Sequence, residues 1–394
     1  MSNDPHIPAR RRRWPEGGSR PVATPLNPSV VYATPDPDAL DAQYEGRSPG
    51  YSYAREGHPN ADVLAQMLDR LEGGTGGVLT GSGMAALGAA VLASLRAGDH
   101  VLGGDQLYGR SLRMLAEDLP RLGIASSLAD PTDAERFAAA LRPETRMILV
   151  ETVSNPTLRV ADIAGIAELA KERGILLAVD NTFTTPRAIR PLAHGADIVI
   201  QSVTKLLAGH ADATLGYVVA RDPLLGAAMR TAATTWGLTP SPFDCWLAER
   251  GLLSFELRHD RASENAARLA DHLAGQAGVA RVLYPGRADH PDHARAGELF
   301  GCRFGNMLSF EIKGGRAAAN AFTRACPNIA FAPTLGDIST TLSHPASSSH
   351  RALGAEGRAA MGIGEGFFRV SVGIEPVETL MEEMARGVAA SLTA

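Results

Sequence analysis

Ile198-Val199-Ile200-Gln201-Ser202-Val203-Thr204-Lys205 is the stretch on which the fold turns. Its apolar residues, Ile198 to Ile200, end as a strand, and two hydroxyls and a lysine follow at once. A lysine so placed lies against low-dielectric surroundings that favour its neutral, nucleophilic amine, the form that makes a Schiff base with an aldehyde. Taken alone, Ser202 to Lys205 suits a lysine capping a sheet edge equally well, so the rest of the chain has to decide.

From residue 61 helix and strand alternate. Val63, Leu64, Met67, Leu68 and Leu71 recur at helical spacing, and Gly73-Gly74 ends that helix. Val78-Leu79-Thr80 leads into Gly81-Ser82-Gly83-Met84 and an alanine-rich helix. Met147 to Val150 reads as a strand, and Ile163, Ile166, Ala167 and Ala170 form a helix face with Gly174 as its C-cap. Ile175 to Val179, Asp197 to Gln201 and Gly216 to Ala220 continue the series as strands. This alternation predicts an α/β fold with a mainly parallel sheet covered on both faces. Met307 to Ile312 and Phe367 to Val372 as strands, with a final helix through Leu380, predict a smaller C-terminal α/β domain closing over the site.

Ahead of this series, Pro5, Pro8, Pro15, Pro21, Pro25, Pro28, Pro35, Pro37 and Pro49 rule out long helices and central strands, because proline lacks a backbone donor and fixes φ. The expected organisation is an extended arm over residues 1–60, a ligand-binding domain over 61–250 and a C-terminal domain over 251–394. Tyr32, Tyr44, Tyr51 and Tyr53 imply that the arm packs on something, and a partner subunit is the natural surface.

The 394 residues, 45% hydrophobic and 21% charged, suffice for a large domain plus a smaller one, each with its own core. A net charge of -5 argues against a nucleic-acid binder, and Arg10 to Arg13 read as a solvated arm. No long apolar stretch follows that run and none suits a bilayer, so a soluble, cytoplasmic protein without membrane contact is expected. Cys245, Cys302 and Cys326 are odd in number and lack metal-ligand spacing, which fits a reducing compartment, no disulfide framework and no metal site.

In parallel sheets the ligand sits beyond the carboxyl ends of the strands. There this chain places Glu151 and Asn155, then Asp180 and Asn181, then Ser202, Thr204 and Lys205. Three readings compete. Gly81-Ser82-Gly83-Met84-Ala85-Ala86 matches the glycine pattern of a dinucleotide fold, with Asp105 following a later apolar pair. Ser202 to Lys205 fits the S-x-x-K pattern of serine acyl-enzymes, although the companion S-D-N and K-T-G motifs are absent. Pyridoxal phosphate uses every piece at once. The Gly83 and Met84 amides at a helix N-terminus, with the Ser202 and Thr204 hydroxyls, would hold the phosphate, and Lys205 would bind the aldehyde. Asp180 would keep the pyridine nitrogen protonated, which makes the ring an electron sink; its alternative use is to cap the next turn through Asn181 and Thr182. Tyr108, in Leu107-Tyr108-Gly109, suits stacking on the ring and moving a proton, or simply a place in the core.

From about residue 50 to the C-terminus the chain resembles the Cys/Met metabolism family of pyridoxal-phosphate enzymes. The resemblance rests on Asp180-Asn181-Thr182-Phe183, then Ser202-Val203-Thr204-Lys205 and Gly209-His210. It also rests on Tyr53-Ala54-Arg55, Leu71-Glu72-Gly73-Gly74, Ser82-Gly83-Met84, Leu107-Tyr108-Gly109, Glu151 to Thr157, Tyr284-Pro285-Gly286 and Arg369-Val370-Ser371-Val372-Gly373. It implies the fold-type I architecture of aspartate aminotransferase and pyridoxal 5′-phosphate as cofactor. It also implies an amino-acid substrate whose α-carboxylate is taken by Arg369 with help from Asn155 and Thr334. Tyr53 and Arg55 would reach a neighbouring subunit's phosphate, in a homotetramer built as a dimer of dimers.

The motifs lie nearest methionine γ-lyases and homoserine-ester sulfhydrylases, and the departures bear on the reaction. The arm has His58-Pro59-Asn60 where Asn-Pro-Thr is usual, Arg110 stands where methionine γ-lyases carry cysteine, and no role follows for either His58 or Arg110. Ser339, in Thr334-Leu335-Gly336-Asp337-Ile338-Ser339, replaces the glutamate usual in cystathionine enzymes, while His344-Pro345-Ala346-Ser347 resembles methionine γ-lyases and sulfhydrylases. The expectation is γ-elimination on methionine or a related sulfur amino acid, with Lys205 as base and Tyr108 as acid. The alternatives are γ-replacement by an O-acylhomoserine sulfhydrylase or cystathionine γ-synthase, then cystathionine γ- or β-lysis.

Overall fold

In the computed structural model, which describes residues 18–394, the first set of apolar runs becomes a seven-stranded sheet. Arg10 to Arg13, Pro5, Pro8 and Pro15 lie outside the described residues. The strands are β1 (Val78–Thr80), β2 (His100–Gly104), β3 (Ala125–Ala129), β4 (Thr145–Glu151), β5 (Leu176–Asp180), β6 (Ile198–Gln201) and β7 (Gly216–Ala220). Their order across the sheet is β1-β7-β6-β5-β4-β2-β3. β7 runs antiparallel to both its neighbours, β1 and β6, and the other pairs are parallel.

Burial on both faces explains why these strands read as continuous apolar runs. Successive side chains alternate in direction, so Ile148, Val150, Leu177, Val179 and Val199 enter one apolar cluster while Met147, Leu149, Ala178, Ile198 and Ile200 enter another. The consequence for the site is a fixed register: Glu151 and Asp180 end neighbouring strands side by side.

Helices α1 (Pro37–Tyr44), α2 (Pro59–Glu72) and α3 (Gly83–Ser94) carry the chain from the arm into the sheet. The arm is thus less extended than its prolines imply, because Pro37 occupies the first turn of α1, where no N–H is needed, and Asp36 caps it by accepting from Ala39 N at 2.8 Å. The arm is tied down by its own chain: Trp246 Nε1 donates to Thr24 O at 2.8 Å, Tyr51 donates to Asp62 at 2.7 Å, and Tyr32 packs against Tyr51. Tyr44 and Tyr53 remain exposed. α2 is capped by His58, whose Nδ1 accepts from Ala61 N at 3.1 Å, and it stops at Gly73, whose φ of 74° is left-handed. Its buried Leu64 and Leu68 contribute roughly 1.5–3 kcal/mol each by leaving water. α3 starts where Ser82 Oγ accepts from Ala85 N at 3.1 Å, and its small residues Ala86, Ala89 and Ala90 let it lie close against the sheet.

The helix Phe255–Ala274 leads into a second sheet of β8 (Val279–Leu283), β9 (Met307–Ile312), β10 (Ala330–Phe331), β11 (Thr341–Ser343) and β12 (Phe367–Ser371). Its order is β10-β11-β12-β9-β8, antiparallel apart from the β10 and β11 pair. Phe310, Phe322 and Phe368 pack ring on ring at its centre, and the helix Val377–Ser391 buries Leu380, Met384 and Val388 against it. Among the described residues no helix is long and apolar enough to cross a membrane.

Candidate active site

The carboxyl ends of β4, β5 and β6 open into a cavity of about 270 Å³. Gly83, Met84, Tyr108, Asn155, Asp180, Ser202, Thr204, Lys205, Thr334 and Arg369 all line it. The sheet thus gathers at one rim what the sequence spreads over nearly three hundred positions.

Lys205 follows β6 in a turn closed by its own N–H donating to Ser202 O at 3.1 Å. Its Nζ reaches one protein partner, donating to Thr334 Oγ1 at 3.4 Å. Burial, and then the nearby Arg369 guanidinium, hold the amine below the ordinary lysine range. A weakly held, partly desolvated amine of this kind is a nucleophile and a base.

Asp180 ends β5 and accepts from Thr182 N at 3.0 Å and Thr182 Oγ1 at 2.6 Å through one oxygen, Oδ1. Burial pushes its carboxyl above the usual range although both bonds favour the ionised form. Asp180 therefore caps the following turn through Oδ1, and this bonding leaves Oδ2 available. Glu151, beside it in register, is pushed well above the carboxylate range by burial and by the charge of Asp180. It accepts from Tyr108 N at 2.5 Å and so fixes the backbone of the tyrosine, whose side chain lines the cavity and is 43% exposed.

One end of the cavity is built by the N-terminus of α3. Gly83 and Met84 stand at its N-terminus, where amides lack helical acceptors and the helix dipole favours an anion. A Cβ on Gly83 would lie 2.8 Å from Ser202 Cβ, so glycine keeps this cup open beside the serine. Ser202 is oriented from behind, its N–H donating to Thr182 Oγ1 at 2.9 Å. Thr204 departs from its expected role. Its hydroxyl donates to Leu215 O at 3.1 Å and accepts from Leu215 N at 2.9 Å, so in this conformation it secures the wall of the cavity.

Arg369, on β12, is buried and crosses from the second sheet to the first. Nη1 donates to Asn155 Oδ1 and Nη2 to Thr334 O, both at 2.8 Å, while Nε has no partner. Burial pushes the guanidinium down to about 10 against the opposing pull of Tyr108 and Glu151. A buried guanidinium held by neutral oxygens, with its Nε–H unused, is suited to a substrate carboxylate. Phe183 supports it with its ring, 5.9 Å away.

Tyr53 and Arg55 are not brought to this cavity within the chain. Tyr53 pairs with Val31 in an isolated bridge, and the Arg55 guanidinium lies 5.3 Å from the centre of the Tyr53 ring on the exposed arm. Asp105, the acid of the dinucleotide reading, is exposed beyond β2 and away from the lining residues. The lining also includes Thr182, Phe183, Ser111, Ser348 and Ser349. From sequence Thr182 has only a place in the turn capped by Asp180 and Phe183 has no role, and nothing there marks the three serines.

The residues fit pyridoxal phosphate end to end: an amine for the aldehyde, an acid at the opposite strand end, an anion cup on α3 and a free carboxylate anchor.

The comparisons agree with this geometry. The family described as Cys/Met metabolism PLP-dependent enzyme matches residues 10–389. The chain is 37% identical over 373 residues to cystathionine beta-lyase MetC of Bacillus subtilis, covering 95% of this chain and 93% of that one. It is 35% identical over 378 residues to L-methionine gamma-lyase of Pseudomonas putida, covering 96% and 95%. The crystal structure of cystathionine gamma synthase from Xanthomonas oryzae pv. oryzae in complex with cystathionine superposes with a TM-score of 0.89 at 39% identity, over 94% of each chain. The fold is accordingly fold-type I. The chain belongs to the Cys/Met metabolism family of pyridoxal-phosphate-dependent enzymes, carbon-sulfur lyases among them, and pyridoxal 5′-phosphate is its cofactor.

Proposed function

We propose that this chain catalyses γ-elimination on methionine or a closely related sulfur amino acid, giving α-ketobutyrate, ammonia and a thiol. One observation carries the substrate class. The ionisable groups lining the cavity are Tyr108, Glu151, Asp180, Lys205 and Arg369, and all but Arg369 are taken up by the cofactor end. Arg369 would hold the α-carboxylate, which among the described residues leaves no charged anchor in the lining for the second amino-acid head of cystathionine. Beyond it the wall is Leu335, Phe183, Ser348 and Ser349, which suits a short thioether.

Bound at Lys205, pyridoxal phosphate supplies an electron sink for the charge left when the α-proton departs. The protein's part is to move protons between fixed atoms. Asn155 and Thr334 hold Arg369 so that the substrate carboxylate docks in one orientation. Lys205 Nζ would hold the cofactor's aldehyde and, as a free amine, is the base for the α-proton, with Thr334 Oγ1 3.4 Å away. Tyr108, its backbone fixed by Glu151, stands over the cavity as the acid that protonates the departing sulfur.

A second reading, γ-replacement, is favoured by the three hydroxyls of Ser111, Ser348 and Ser349, which suit the carbonyl of an acylhomoserine ester. A thiol entering in place of water would then complete the same site. Under either reading Tyr53 and Arg55 serve a neighbouring subunit's phosphate in a homotetramer. Three free cysteines, two of them buried, fit the cytoplasm.

Incubating the purified holoenzyme separately with methionine, with cystathionine and with an O-acylhomoserine plus sulfide separates these readings. The proposal expects α-ketobutyrate and thiol from methionine. Homocysteine from the ester without keto acid from methionine would move the assignment to replacement.

A further inference from the structure

The cofactor site leaves one buried acid unused. Glu72 ends α2 and Gln201 ends β6; each is 1% exposed, and Gln201 Nε2 donates to Glu72 Oε1 at 2.5 Å. The other oxygen of each group, Glu72 Oε2 and Gln201 Oε1, is buried without a hydrogen-bond partner among the described residues. An ionised carboxylate has no proton to give, so as an anion Glu72 would strand both oxygens as acceptors. A proton on Oε2 satisfies the two at once, because an acid and an amide that already share one bond can close a second, head to tail.

We propose that Glu72 is a neutral carboxylic acid joined to Gln201 by two hydrogen bonds, and that it is a positioning residue for the strand ends that hold the cofactor. Gln201 directly precedes Ser202, at the phosphate cup, and Asn181, which also stands beside Glu72, directly follows Asp180. Asn181 is locked in turn, its N–H donating to Ile200 O at 2.9 Å and its Nδ2 to Ile189 O at 2.9 Å. A single carboxyl thus ties α2 to the end of β6, beside the turn that follows β5.

The surroundings favour the neutral form. Burial pushes Glu72 up to about 7, against the weaker pull of Gln201, Asn181 and the Arg190 charge. The other ionisable groups near it are Tyr217 and Asp69, which bond to each other at 2.6 Å. As pH rises through about 7 the acid loses its donor and the second bond opens. The inference holds whichever sulfur amino acid reacts.

The test compares holoenzymes of wild type, E72Q and E72A by cofactor dissociation and by infrared difference spectroscopy. The amide introduced by E72Q has the donor and acceptor of a neutral acid, so below pH about 7 that variant holds the cofactor as wild type does, while E72A holds it roughly tenfold more weakly, the equivalent of one lost buried hydrogen bond. Above that pH wild type weakens relative to E72Q. The spectrum of wild type contains a neutral carboxylic-acid carbonyl band that E72Q lacks. Equal weakening in E72Q and E72A, or a wild-type spectrum without that band, would overturn the proposal. If E72A does not fold, the wild-type band that is absent from E72Q and the pH divergence between those two proteins still decide it.

Discussion

Two cations share the cavity without a carboxylate on either, and this governs the chemistry residue by residue. Burial and then the Arg369 guanidinium make the lysine's charge costly, and it is the lysine that yields, since a guanidinium keeps its proton far more tightly than an amine. A substrate carboxylate arriving at Arg369 offsets that guanidinium and leaves the lysine amine free to act as base. Arg369→Ala is therefore expected to lower kcat/KM by roughly a hundredfold or more, corresponding to about 3 kcal/mol for a buried charge-assisted contact. Arg369→Lys keeps the charge but loses the fork that bonds Asn155 and Thr334, so it recovers little of that loss. Steady-state kinetics check both, and full activity in either variant would remove Arg369 from substrate binding.

At the scale of elements, the legible parts were those with a local physical signature. β4, β5, β6 and β7 are readable because burial on both faces makes their central positions apolar, and α2 and the helix Ile163–Arg173 because Gly73 and Gly174 adopt left-handed φ at their ends. Rim placement of Asp180, Ser202 and Lys205 followed from the strand ends alone. What was not legible depends on distant partners. The antiparallel direction of β7 is a property of how the chain returns to the sheet rather than of Gly216 to Ala220 themselves. β11 is a three-residue strand fixed by its neighbours, too short for periodicity to show. Thr204 was assigned to the phosphate from its type, and only the position of Leu215 reveals that its hydroxyl is spent on the backbone. Ser348 and Ser349 reach the cavity because the second sheet carries them there, and nothing in their own neighbourhood announces it.

For the molecule as a whole, the site is complete only across both sheets: Asn155 comes from the first and Arg369 from the second, joined at 2.8 Å. Tyr53 and Arg55 stand outside it on an arm anchored to its own chain, and the destination proposed for them is another subunit's cavity. Mixing two inactive variants, Arg55→Ala and Lys205→Ala, tests that arrangement. Restored activity on subunit exchange is expected, since some cavities then combine an intact lysine with an intact arm, and persistent inactivity of exchanged oligomers would refute it. The central claim, that this fold exists to hold pyridoxal phosphate on the lysine after β6, has a more direct measurement. The chain has three lysines, Lys171, Lys205 and Lys313, and the first and last are exposed on the surface. Borohydride reduction of the holoenzyme followed by peptide mass mapping should place the cofactor's mass on the peptide containing Lys205 alone; its appearance on Lys171 or Lys313, or on no lysine, would contradict the account.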